Sequence, residues 1–275
     1  MALALVVSAF AQSFVETPQS LYTRATDQFA AQKFADAKSS FQRAIDLDRL
    51  YAPAYRGLGL ADLALKDYQG AYRAWLRAVD LDPKDEKSKY CLGRLFYDAN
   101  LPNEAAAWLR QAVELDPNDF EATTYLGLAA EALGFSDTAG QLYRKAIALS
   151  EAQHRPYSWA FLSLANYYRK HDEQSKAVAV LEDGAQQCPE AHELATLAEM
   201  AAASGDSKRA EELLRQSISL DPTLSQAHYR LGLLLKSLGR SKEAAEEMLK
   251  FKQAKAEEDK APKVTALRNS GPTSQ

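Results

Sequence analysis

Apolar residues recur three and four positions apart along most of the chain, the spacing that puts one side of an α-helix against a core. In residues 52–81 the pattern predicts a hairpin. Ala54, Tyr55, Leu58, Gly59 and Ala61 to Leu65 form its first helix, Lys66 and Asp67 the turn, and Gln69 to Leu81 its second. Pro83 then stops the second helix, because proline has no amide proton to give and pushes the preceding residue out of the α region. Pro117, Pro189 and Pro222 close later helices in the same way, and Asp82, Asp116 and Asp221 stand before three of these prolines in a recurring Leu-Asp-Pro phrase.

The hairpin pattern repeats with a period of 34 residues. Gly59, Gly93 and Gly127 keep this step, as do Ala37, Ala71, Ala105 and Ala139, and likewise Ala44, Ala78, Ala112 and Ala146. Seven units begin at Pro18, Ala52, Glu86, Phe120, Ser158, Ala191 and Ser225, with four extra residues around His154 to Tyr157 and one missing before Ala191. Beyond those breaks Ala177, Ala210, Ala244 and Gly232 resume the columns, and Ala165 and Ala198 replace the glycine. Glycine and alanine alternate in the glycine column, which marks it as selected for size, while large residues occupy complementary places: Phe41, Trp75, Leu109, Tyr143, Leu181, Leu214 and Met248 on second helices, and Tyr55, Phe161 and His228 on first helices. Alternating recesses and knobs let helix axes approach to roughly 8–10 Å. Gly93→Leu is therefore expected to disturb the stack. Units that cannot bury their apolar face alone must stack on neighbours, which defines a solenoid.

Leu58-Gly59, Tyr68, Ala71, Trp75, Ala78 and Pro83, with their counterparts one period away, resemble the tetratricopeptide repeat over residues 18 to about 251. The first unit departs from the pattern, with Arg24-Ala25 for Leu-Gly and Arg49 for Pro, and the fifth and sixth lack the glycine. The resemblance implies an all-α fold, a right-handed superhelical α-solenoid of seven helix-turn-helix repeats that binds peptides or protein surfaces in a concave groove. It also places the groove at the second, fifth, ninth, twelfth and thirteenth positions of each unit. Candidate contact residues are then Arg56, Lys87, Tyr90, Arg94, Tyr97, Trp159, Asn166, Arg169, Lys170 and Tyr229, concentrated in the third and fifth units. The fourth and sixth offer blander sets, including Leu128, Glu131 and Glu199. Arg56, Lys87 and Arg94 would meet carboxylates of a bound segment, Tyr90, Tyr97 and Trp159 would supply rigid contact area, and Asn166 would hold the peptide backbone. Replacing Tyr90, Arg94 and Arg169 together by Ala is expected to abolish capture with helicity intact. Some family members grip a chaperone C-terminus with a Lys, Asn, Asn, Lys, Arg clamp, from which Arg56 with Leu60 and Tyr90 with Arg94 depart.

The ends lie outside the repeat. Ala2 to Ala11 form an apolar run too short to span a bilayer, and Ala9-Phe10-Ala11 offers a small-x-small cleavage site before Gln12. The run reads as a signal peptide without its basic flank, which implies an exported or periplasmic protein. Its alternatives are a helix capping the first repeat of a cytosolic adaptor, or an uncleaved membrane tether. Residues 252–260 extend the last helix, and Ala261 to Gln275, aperiodic and rich in Pro, Ser, Asn, Gly and Thr, are expected to be disordered. With 33 basic and 37 acidic residues the chain has no broad footprint for nucleic acid.

Catalytic signals are missing. His154, His171, His192 and His228 fall in separate units, and His192-Glu193 continues to Thr196 where a zinc-protease motif needs histidine. No nucleophile elbow, phosphate loop or cysteine cluster occurs, and Cys91 and Cys188 lie too many helix layers apart to pair. The expectation is a non-enzymatic scaffold with no cofactor, no metal and no small-molecule substrate, whose partner is a protein or peptide. A substrate-recruiting subunit of an enzyme complex is the further alternative.

Overall fold

A computed structural model describes residues 16–260. The leader and the C-terminal tail read from the sequence lie outside them. Helices follow one another in antiparallel pairs, and contacts group them into two compact units, one ending at Pro83 and one beginning at Lys84. The first holds α1 (Pro18–Ala30), α2 (Phe34–Leu47), α3 (Ala52–Ala64) and α4 (Tyr68–Leu81). The second holds α5 (Glu86–Asp98), α6 (Pro102–Leu115), α7 (Phe120–Ala132), α8 (Ser136–Ala152), α9 (Ser158–Lys170), α10 (Gln174–Gln187), α11 (Ala191–Ala203), α12 (Ser207–Leu220), α13 (Ser225–Ser237) and α14 (Ser241–Lys260). The boundary between them is a Leu-Asp-Pro phrase and not a linker.

The helix ends show why the period is kept. Asp67, Asp85, Asp119 and Asp206 precede α4, α5, α7 and α12 and accept a hydrogen bond from the backbone N–H three residues on, satisfying an otherwise orphaned donor. The aspartate of the Leu-Asp-Pro phrase ends a helix in extended backbone, as at Asp116 and Asp221. Its carboxylate then accepts from the N–H two residues later, at 3.0 Å from Asn118 and 2.8 Å from Thr223. Within each hairpin the chain reverses through one left-handed residue: Gln32, Lys66, Asn100, Gly134, Asp172, Gly205 and Gly239. A side chain in this conformation costs about 1 kcal/mol or more. Lys66→Gly, at an exposed site with φ of 62°, is therefore expected to stabilise the first unit by up to about 1 kcal/mol, read as a raised melting temperature.

The glycine column receives knobs from the second helix of the same hairpin. A Cβ at Gly59 would stand 2.3 Å from the Trp75 ring, at Gly93 2.5 Å from Leu109, at Gly127 2.6 Å from Tyr143, and at Gly232 3.1 Å from Met248. The recess holds a side chain, where the sequence suggested close helix backbones; a backbone atom of the facing helix is also near at Gly93, the Leu109 nitrogen at 3.1 Å, and at Gly232, the Ala244 carbonyl at 3.4 Å. Trp75 is 1% exposed, and its indole N–H donates to the Arg56 carbonyl at 3.2 Å. The four-residue insertion lengthens α8 to 17 residues, against 14 for α6, α10 and α12.

In the second unit α5, α7, α9, α11 and α13 also touch one another in sequence and form a continuous layer. The second helices α6, α8, α10 and α12 instead pack between the first helix of their own hairpin and that of the next, and α14 packs on α13. The layer whose helices touch is the inner one, so the open face of α5, α7, α9, α11 and α13 is the inner wall.

Candidate functional site

Three successive first helices build a pocket of about 320 Å³ on that wall. Tyr97 comes from α5, Leu128, Glu131 and Ala132 from α7, and Trp159, Leu162, Asn166 and Lys170 from α9. These occupy the register read as groove-lining from the sequence, and Ser163, one place off it, completes the lining. Trp159 keeps 36% of its surface exposed, and Tyr97 and Asn166 are half-buried. A large aromatic left open beside a polar amide gives a peptide side chain a wall to pack on and a partner for its backbone.

The charged members are not free as the sequence implied. Lys170 pairs with Glu131, whose other carboxylate oxygen accepts from the Tyr143 hydroxyl at 2.7 Å. Arg169 bonds Glu199 at 3.0 Å, and Asn166 accepts from Arg169 at 3.3 Å. Lys87 donates to Asp119 at 2.8 Å and lies 3.3 Å from Glu86. Arg94 reaches Asp98 at 4.0 Å and stands 5.5 Å over the Tyr125 ring. Glu131 of the fourth unit and Glu199 of the sixth, bland in the sequence, thus balance the cations of the fifth, whereas those of the third are held by acids of their own unit.

Tyr90 requires the largest correction. It is 8% exposed, its hydroxyl donates to Glu121 at 3.1 Å, and its ring meets Tyr125 edge-on at 5.9 Å. Tyr90 therefore supports the wall from within, and truncating it would open a void. Tyr125, itself 8% exposed, also meets Tyr97 at 5.8 Å and is the hub that register counting missed, because its position is not a groove position. Tyr229 is 40% exposed on α13 and stacks against Phe251 at 5.1 Å. Arg56 belongs to the first unit, half-buried on α3.

Carboxylate oxygens of Glu86, Asp116 and Asp119 lie within 4.8 Å of one another, the arrangement a cation would need. The Lys87 ammonium already reaches Glu86 and Asp119. Burial, with Asp119 alongside, pushes Glu86 up to about 7. The trio reads as an internal ion-pair network. Cys91 and Cys188 are both free thiols, and burial pushes each up to about 12, so neither has the thiolate character of a reactive cysteine.

Stacked helix hairpins with small-residue recesses and an open inner wall define a helical-repeat scaffold for protein interaction. The tetratricopeptide repeat model matches residues 22–86, 90–154 and 196–259, and the chain belongs to that family. The gap from 155 to 195 falls on the fifth repeat, its flanking insertion and the start of the sixth repeat. Superkiller complex protein 3 from Mus musculus is 28% identical over 225 residues, 78% of this chain and 14% of its own length. The chain thus spans about one seventh of that relative. Among solved structures, Cut9–Hcn1 of the APC/C has a TM-score of 0.70 at 18% identity, covering 80% of this chain and 43% of that one. The type IV pilus biogenesis factor PilW has a TM-score of 0.65 at 19% identity, covering 76% of this chain and 96% of that one. Among the described residues no helix is long and apolar enough to cross a membrane.

Proposed function

We propose that this protein is a non-catalytic adaptor that captures an extended polypeptide segment along the inner wall of its second unit. The pocket shared by Tyr97, Trp159 and Asn166 carries the reading, because three repeats converge there on one exposed aromatic and one amide. Within this proposal the adaptor acts outside the cytosol as an assembly factor for envelope, secretion or pilus machinery. The apolar run Ala2 to Ala11 supports export, and PilW supplies a fold precedent alone. A mature protein beginning at Gln12, read by mass spectrometry from its native host, is the expected result, and an intact start would mean a cytosolic adaptor or an uncleaved membrane tether.

The groove itself is tested by Tyr97→Ser, Trp159→Ala and Asn166→Ala combined. Unlike Tyr90, none of the three is fully buried, so helicity and melting temperature should hold while partner capture falls by roughly tenfold or more. Undiminished capture would move the binding surface elsewhere.

A further inference from the structure

We propose that the inner wall over α9, α11 and α13 selects an acidic peptide segment, seating a Glu or Asp side chain on Arg169 and Arg230 with a bulky apolar neighbour in the crevice beside them. The proposal rests on the groove reading above and gives it a partner chemistry.

Charge imbalance is the first observation. Glu199 stands between two arginines, one carboxylate oxygen 3.0 Å from Arg169 and the other 2.5 Å from Arg230. Two guanidinium groups thus share one carboxylate, in a chain whose net charge is −4. Arg230 is anchored, with one nitrogen donating to the Ala195 carbonyl at 2.6 Å. Burial and the nearby Arg169 both work against its charge, and Glu199 alone offsets them in part. Arg169 gives one N–H to Asn166 and one to Glu199, and a guanidinium has five. The remaining donors can take a second carboxylate in forked geometry, which would relieve the repulsion between the two cations. Lys236, exposed at the twelfth position of its unit, adds positive charge to the same wall.

Shape is the second observation. A crevice of about 550 Å³ opens beside this cluster between the fifth and sixth hairpins, with Arg169 and Glu199 among its lining residues and Val178, Leu197, Met200 and Leu213 as apolar walls. Methionine adapts to side chains of differing outline. On the wall beyond, Tyr229 and Leu233 remain 40% and 44% exposed. A carboxylate followed by an apolar side chain complements this pairing, whereas a basic segment would add a third cation to two that already share one carboxylate.

The test is selection of a random peptide display library on the full chain, followed by affinities of amidated synthetic peptides from fluorescence anisotropy. Amidation leaves only side-chain carboxylates to act. Selected sequences should be acidic with apolar neighbours, and Glu→Gln within the peptide should weaken binding roughly tenfold. Arg169→Gln should weaken it by a similar factor with unchanged melting temperature. Glu199→Gln should tighten it several-fold by freeing both arginines, an effect that a purely structural glutamate would not give. Neutral or basic selections, an indifferent Arg169→Gln, or a Glu199→Gln that fails to tighten would each overturn the proposal. If such neutral or basic peptides still depend on Trp159 and Tyr97, the groove stands and only its acidic preference falls. If no selected peptide depends on a groove residue, both readings fall.

Discussion

Gly93→Leu is expected to lower the stability of the second unit by about 3 kcal/mol, seen as an earlier denaturant midpoint. A Cβ there would meet Leu109 at Cγ, 2.5 Å, at Cδ2, 2.9 Å, and at its backbone nitrogen, 3.1 Å. The side-chain atoms could turn aside only by displacing their neighbours, and the nitrogen moves only with α6. Leu109 is fully buried, so its side chain has no empty volume to enter. Leu109→Ala alone should also destabilise, by about 2–5 kcal/mol, through the lost contacts and the cavity left behind. Combined, the two substitutions should cost less than their sum, because each removes part of the other's penalty. Strict additivity would mean that Gly93 is not a recess for Leu109.

The glycine, alanine and knob columns were legible because a stacked repeat demands the same volume at the same place every 34 residues. Phe41, Trp75, Leu109, Tyr143, Leu181 and Leu214 are accordingly all 2% exposed or less. The groove register was legible for the same reason, and it led to Tyr97, Trp159, Asn166 and Lys170. It could not show which side chains would be consumed across helices. Register gives the direction of a Cα–Cβ bond, whereas the burial of Tyr90 depends on Tyr125 and Glu121 arriving from α7. Glu131 and Glu199 looked bland because their partners lie 39 and 30 residues away, on other helices. The left-handed turn residues share the period too, but glycine fills only Gly134, Gly205 and Gly239, so composition hid the column.

One more departure from the columns has a large energetic consequence. The third position of each unit holds Ser20, Ala54, Ser88, Ala122, Ala160, Glu193 and Ala227. A glutamate has entered a column of small residues, and it is 1% exposed. Room for it comes from α10, where Gly184 replaces the alanine of Ala44, Ala78, Ala112 and Ala146. A Cβ at Gly184 would lie 2.9 Å from Phe161 and 3.1 Å from the Glu193 carboxylate. The pair is a matched substitution between two columns.

Neither carboxylate oxygen of Glu193 has a hydrogen-bond partner, so its charged form is heavily penalised. Burial, and to a smaller extent Glu190, pushes it from 4.5 up to about 8. The other titratable groups around the nearby Cys188 thiol are acidic too, Glu190 and Asp183, and provide no compensating cation. At neutral pH Glu193 is therefore mainly protonated in the folded chain and ionised in the unfolded one. The folded state binds the extra proton, so stability is fully present below pH 4.5 and is lost as pH rises through 8. The full loss is on the order of 3 to 5 kcal/mol, at about 1.4 kcal/mol per pH unit in the steep region. Glu193→Ala restores the small column and should remove that slope. Paired with Gly184→Ala to refill the space, it should match the parent in urea unfolding at low pH and exceed it increasingly toward pH 9. Curves that stay parallel across this range would mean that Glu193 ionises without cost, reaching water or a cation through an opening between α10 and α11.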